Sequence, residues 1–151
     1  MADGTYNTKV YHKQGGDVLV VASGGTITEE PGGAILGRTI LNTYLADAGT
    51  ASSCYVICPF AGTIVQMQAV CRVANSTTKT VLTAKAGAGG TAVTHPAWEI
   101  AVTQAAGVVS STVPTAANVV TAGQVIEILS DGGSASSGQI TDFSITILRT
   151  S

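Results

Sequence analysis

From residue 52 onward, apolar and polar side chains alternate with a period of two, the signature of strands with one dry and one wet face. Over 53–60, Cys54, Val56, Cys58 and Phe60 share a face. Over 62–73, Val65, Met67, Ala69, Cys71 and Val73 share one, with Gln66, Gln68 and Arg72 opposite. That phase leaves Ile64 and Val70 pointing outward. Near the end, Phe143, Ile145 and Ile147 alternate with Asp142, Ser144 and Thr146. Weaker strand signals cover 79–84, 98–102, 108–113 and 124–129. Turn chemistry separates them at Asn75-Ser76, the glycine run 87–90, 114–118 and Asp131-Gly132-Gly133. About eight strands with no long helix predict a two-sheet sandwich or jelly roll.

The first residues have a different rhythm. Gly15-Gly16, Gly24-Gly25 and Gly32-Gly33 separate short β-prone runs at 9–13, 17–22 and 26–30. Such strands bury little area, and an isolated hairpin is marginal in water, so this segment needs something to lean on. Six of the first 37 residues are charged, against ten of the remaining 114. The expected organisation is therefore an N-terminal β segment, 1–37, followed by an all-β, jelly-roll-like sandwich, 38–151. Residues 38–47 are ambiguous: Ile40, Leu41, Tyr44 and Leu45 have helical spacing and Gly49 suits a helix cap, whereas Thr39, Thr43 and Tyr44 suit a strand. We read them as connector plus strand.

Composition reinforces the β assignment. Val, Ile and Thr number 49, and Leu, Met, Gln, Glu, Lys and Arg together number 26. β-Branched side chains fit a pleated surface and lose rotamer freedom in helices. Only 11% of residues are charged, against about 25% in ordinary soluble domains. A surface so weakly protected against association predicts that copies or partners cover part of it. The net charge is −2 and the basic residues are scattered singly from Lys9 to Arg149, which disfavours nucleic acid and charged membrane surfaces, since phosphates need clustered cations. Residues 48–71 and 100–126 carry no charge, yet proline, glycine and many hydroxyl and amide side chains interrupt both, so neither reads as a membrane helix. The opening Met1-Ala2-Asp3-Gly4-Thr5 has no basic region and no apolar stretch, so the chain is expected to fold where it is made.

No catalytic constellation emerges. Cys54 and Cys58 on one strand lie about 13 Å apart, beyond the roughly 7 Å limit for a disulfide. With Cys71 they make an odd number, and only His12 and His95 are present to complete a zinc site. Three buried, reduced thiols are expected. His95-Pro96-Ala97-Trp98 admits two readings. Trp98 either stacks on a sugar with His95 and Glu99 beside it, or enters the following strand and fills the sandwich edge, which we favour. Neither histidine accompanies a nucleophile elbow. Glu29 and Glu30 would point to opposite sides of a strand. Asp131-Gly132-Gly133 reads as a turn rather than a calcium loop. The glycine run 87–90 lacks the Lys-Ser/Thr of a phosphate loop, and the sequon Asn75-Ser76-Thr77 reads as a polar turn. Neither cofactor nor metal is implied.

Several segments nevertheless resemble a known family. Thr5-Tyr6-Asn7-Thr8-Lys9-Val10-Tyr11, Gln14-Gly15-Gly16-Asp17 and 19–25 are similar to a segment that opens many tailed-bacteriophage head proteins. Residues 54–64, then Pro114-Thr115-Ala116-Ala117-Asn118 and Ala122-Gly123-Gln124-Val125-Ile126, resemble the strands of capsid decoration (cement) and head-fibre proteins. Gln124 stands where many members carry an aspartate.

The resemblance implies a homotrimeric structural protein, not an enzyme. It would be made in the host cytoplasm and carried on the outer surface of the phage head, its partners being the major capsid protein and itself. Tyr6, Lys9, Val10, Tyr11, Leu19 and Val21 are the expected capsid contacts. Ile64 and Val70 are the expected trimer contacts. The alternative is a head-fibre or receptor protein binding glycans through His95 and Trp98.

Overall fold

A computed structural model describes residues 10–12, 19–21, 37–75, 78–87, 89–133 and 138–150. The chain divides into two compact units, Met1–Ile35 and Leu36–Ser151. In the first unit, strands β1 (Val10–His12) and β2 (Leu19–Val21) pair antiparallel, with Val10 opposite Val21, Tyr11 opposite Val20 and His12 opposite Leu19. The strand expected over 26–30 lies outside the described residues.

The second unit is an all-β sandwich, and no helix occurs among its described residues. Its strands are β3 (Arg38–Leu45), β4 (Ser52–Ile57), β5 (Gly62–Cys71), β6 (Thr80–Ala86), β7 (Thr91–Ala92), β8 (Glu99–Ile100), β9 (Val109–Thr112), β10 (Val119–Val120), β11 (Val125–Ser130) and β12 (Thr141–Arg149). One sheet runs β3-β12-β5, with β9 and β10 both on the far edge of β5; the other runs β4-β11-β6, with β7 and β8 both on the far edge of β6. The two antiparallel sheets pack over one core as a β-sandwich.

The ambiguous stretch is wholly strand. β3 pairs with β12 from Arg38 to Leu45 and alternates between exposed and half-buried positions. Its helical spacing is overridden because a continuous ladder partner satisfies the backbone and one face meets the core.

Among the described residues, nineteen apolar side chains close the interior, including Leu82, Ala84, Trp98, Ile100, Ile126 and Ile128 from one layer and Ile64, Met67, Ala69, Phe143, Ile145 and Ile147 from the other. Trp98 packs edge-on against Phe143, with ring centroids 5.8 Å apart. Its indole N–H donates to the Ser110 carbonyl at 3.4 Å, so its polar atom has a partner inside.

One phase assignment is reversed. Gln66 stands opposite Thr146 and Ile64 opposite Ile147, leaving Val65 as the extra residue of a β-bulge. The bulge shifts the side-chain alternation by one place. Met67, Ala69 and Cys71 face inward as expected, but so does Ile64, at 0% exposure, while Val65 is only half-buried. Ile64 is therefore a core residue and offers no surface to a trimer mate. Val70 keeps its outward, partly covered position.

Loop geometry depends on two glycines in different ways. Gly132 has φ +71°, and a Cβ there would run into the backbone nitrogen of Ala51 in the β3–β4 connection. Gly107 has φ +79° with nothing nearby. Gly107→Ala should therefore cost about 1 kcal/mol, the left-handed conformation alone. Gly132→Ala should cost several times as much or abolish folding, since two backbone segments must separate. Chemical denaturation of both variants checks this, and equal losses would refute the close approach.

Candidate functional site

The residues expected to carry chemistry are mostly buried or engaged. Trp98 is 1% exposed and fills the core, so it does not stack on a glycan. A large aromatic at the sandwich edge gains more by covering Phe143 than by facing water. His95 is half-buried, its ring edge-on to Trp98 at 6.1 Å, and its Nδ1 lies 2.7 Å from the Pro96 carbonyl. This pair does not form the expected glycan contact. Of the expected capsid contacts, Tyr6 and Lys9 lie outside the described residues. Val10, Tyr11 and Leu19 fall in the β1–β2 ladder, and Val21 is exposed.

The three cysteines are free and buried. Burial pushes the Cys54 and Cys71 thiols above the ordinary range, which disfavours the thiolate that a nucleophile or metal ligand needs. The Cys58 thiol donates to the Phe60 carbonyl at 3.0 Å. Among the described residues, no three His, Cys, Asp or Glu side chains converge on a metal-sized site. Asn75, in the formal sequon, is buried, and its amide donates to the carbonyls of Thr78 and Ala101 at 2.7 and 3.0 Å. It acts as a structural clamp, and a glycan on it would break those bonds.

Sequence reasoning did not anticipate how Glu127 is held. It points outward from β11 yet is only 6% exposed, because its cross-strand neighbours Tyr55 and Lys85 lie on either side and the 87–90 turn closes over it. The Gly89 N–H donates to it at 2.8 Å, the Tyr55 hydroxyl at 3.3 Å, and the Lys85 ammonium lies 3.8 Å away. The Gly89 N–H holds this carboxyl below the ordinary range, with Lys85, Ser53 and Tyr55 adding to the effect against desolvation. No local signal marks it, because only the strand register sets Glu127 directly between a tyrosine and a lysine. A carboxylate saturated in this way staples the β6–β7 turn to the sheet and is a poor general base.

On the other sheet, the outer face carries in-register rows. Tyr44, Asp142, Val70 and Val109 form one row; Asn42, Ser144, Gln68 and Ser111 form the next. Arg72 grips Asp142 through two hydrogen bonds of 2.7 and 2.8 Å, which hold that carboxyl below its usual range. Between the rows lies a shallow groove of about 340 Å³, lined by residues including Asn42, Gln68, Val70, Val109 and Ser144. On one side of the sandwich, β3 and β4 lie against each other as the edge strands of the two sheets.

No family model, no curated protein and no solved structure matches the chain.

Glu127 and Asp142 titrate below their unfolded values. Each therefore contributes stability that is present above the unfolded carboxylate range, about pH 4, and is lost as pH falls through the lower folded value. Glu127→Gln should lower the melting temperature at pH 7, and the gap from the parent should narrow as pH drops below about 4. Thermal unfolding between pH 7 and 3 measures it; a gap independent of pH would show that the charge plays no part.

Proposed function

We propose that the protein is a structural binding protein that decorates the bacteriophage head as a homotrimer and stabilises the major capsid protein lattice. The observation that carries this reading is the pair of neighbouring strand edges on one side of the sandwich. Among the described residues, β3 pairs with β12 alone and β4 with β11 alone. Their outer edges offer backbone donors and acceptors that another chain can meet. Sheet edges are commonly defended by Lys, Pro or a bulge. Here β3 carries a single charge, Arg38 at its start, β4 carries none, and neither strand contains proline. Ile40, Tyr44, Tyr55 and Ile57 stand 57%, 62%, 55% and 65% exposed beside them. Such a surface favours association over catalysis, as does the shortage of charge across the whole chain.

The capsid as partner rests on the resemblance of 5–11, 14–17 and 19–25 to the segment that opens phage head proteins, and of 54–64, 114–118 and 122–126 to decoration and head-fibre proteins. In this reading the 1–37 segment, with Tyr6, Lys9, Val10, Tyr11, Leu19 and Val21, supplies the anchor, and the sandwich supplies the self-association. A protein that binds the assembled lattice and not its free subunits stabilises the lattice by mass action.

Native mass and co-sedimentation with purified heads that lack the protein test both halves. The full chain should run as a trimer at micromolar concentration and pellet with heads. Ile40→Lys with Ile57→Lys should leave the fold intact by circular dichroism, because both side chains are exposed, and should shift the protein toward monomer. A monomeric parent protein would remove the self-association half, and failure to pellet with heads would remove the capsid half.

A further inference from the structure

We propose that copies of the chain join by strand addition, the β3 edge of one copy pairing antiparallel with the β4 edge of the next around a threefold axis. The inference rests on the trimer reading above and names the contact that would close it. A closed ring of three needs a heterologous interface, in which a patch on each copy meets a different patch on its neighbour. The sandwich offers two such patches side by side, because β3 and β4 end different sheets on the same flank. The opposite flank is already tied together by the chain itself. There Thr94 bridges Ala116, its N–H donating to the Ala116 carbonyl at 2.9 Å while the Thr115 N–H donates to the Thr94 carbonyl at 2.8 Å.

Strand direction and height fix the register. β3 and β5 both pair antiparallel with β12, so they run the same way. Only residues 58–61 join the end of β4 to the start of β5, so β4 runs opposite to β3. Rotation about an axis parallel to the strands changes neither direction nor height, so β3 meets the next copy's β4 antiparallel and level for level. Residues 46–51 connect Leu45 to Ser52, which sets Ile40 and Ile57 each five residues from that turn and Asn42 and Tyr55 each three residues from it. Ile40 therefore stands opposite Ile57 of the next copy, and Asn42 opposite its Tyr55. All four are exposed in the single chain and point to the outer faces of their sheets, which lie on one side of the joined sheet. Directly opposed β-branched side chains support a ladder. Arg38, the one charge on either edge, falls beyond Ile57, so the paired span traps no charge. Leu41 and Val56 point inward from the two edge strands and are only partly buried against the core. The ring covers them at its axis, so one contact satisfies both the free backbone groups and the half-covered mouth between the layers.

Cysteine pairs at matched heights test the register in the full chain. Facing residues of an antiparallel pair have Cα atoms about 4.5–5.5 Å apart, within disulfide range. Under oxidised glutathione, Ile40→Cys with Ile57→Cys, and separately Asn42→Cys with Tyr55→Cys, should each give a covalent ladder on a non-reducing gel that stops at three times the mass of the chain. Tyr44→Cys with Ile57→Cys is displaced by four residues, about 13 Å, and should stay single, as should the parent with its buried cysteines. A parent that is trimeric by native mass while neither matched pair cross-links overturns the strand addition and leaves the trimer reading standing; a monomeric parent overturns both. Cross-linking of the displaced pair as strong as that of the matched pairs also overturns it, and so does a ladder that runs past three, the mark of an open filament. Covalent dimers from Ile40→Cys with Tyr44→Cys would place β3 against β3 across a twofold axis and overturn it equally.

Discussion

Strand β12 is the constraint on which the sandwich depends. It is paired on both sides, with β3 and β5, and on its inner face it drives Phe143, Ile145 and Ile147 into the dry layer. Trp98, from the chain just before β8, meets Phe143 across that layer and ties the second sheet to the first. Because an interior packs like a crystal rather than an oil, these contacts fix the spacing and mutual orientation of both sheets. The order of strands in each sheet then determines which ones become edges.

Two different surfaces follow from that arrangement. Along the side formed by β3 and β4, the sandwich ends in sparsely charged edges flanked by exposed Ile40, Tyr44, Tyr55 and Ile57. Across the face of the first sheet, the same ladder aligns Asn42, Ser144, Gln68 and Ser111 into one row. Edges expose backbone groups, whereas the row exposes side-chain groups. β3 contributes to both, through its backbone in one case and its outward side chains in the other.

The few charges serve mainly to hold connections. Glu127 binds the Gly89 turn to β11, Asp131 accepts from the Val81 and Gly133 amides, and Asp47 accepts from Gly49, the Thr50 hydroxyl and Gln139. Each carboxylate receives backbone N–H groups that a loop would otherwise leave unsatisfied. A chain with so few ionised groups thus uses several of them as fasteners.

The period-two alternation of 53–60 and 141–147, the β-branched excess and the turn residues were enough to read an all-β sandwich, because those signals are local and each strand carries its own. Burial of Cys54, Cys58 and Cys71 was legible for the same reason. The inward turn of Ile64 was not, since the bulge at Val65 arises from how β5 matches β12, some eighty residues away in the chain. The strand identity of 38–45 likewise needed β12 as a partner before its alternation outweighed its helical spacing. The packing role of Trp98 was already favoured from the sequence, but its partner Phe143 emerged only from the structure, and Glu127 became a buried staple only when register set it between Tyr55 and Lys85. The row on the first sheet is the extreme case: Asn42, Gln68, Ser111 and Ser144 have nothing in common along the chain. Local pattern sets what each strand is; only strand pairing over long sequence distances decides which side chains become neighbours, because a ladder's register is a property of two segments together.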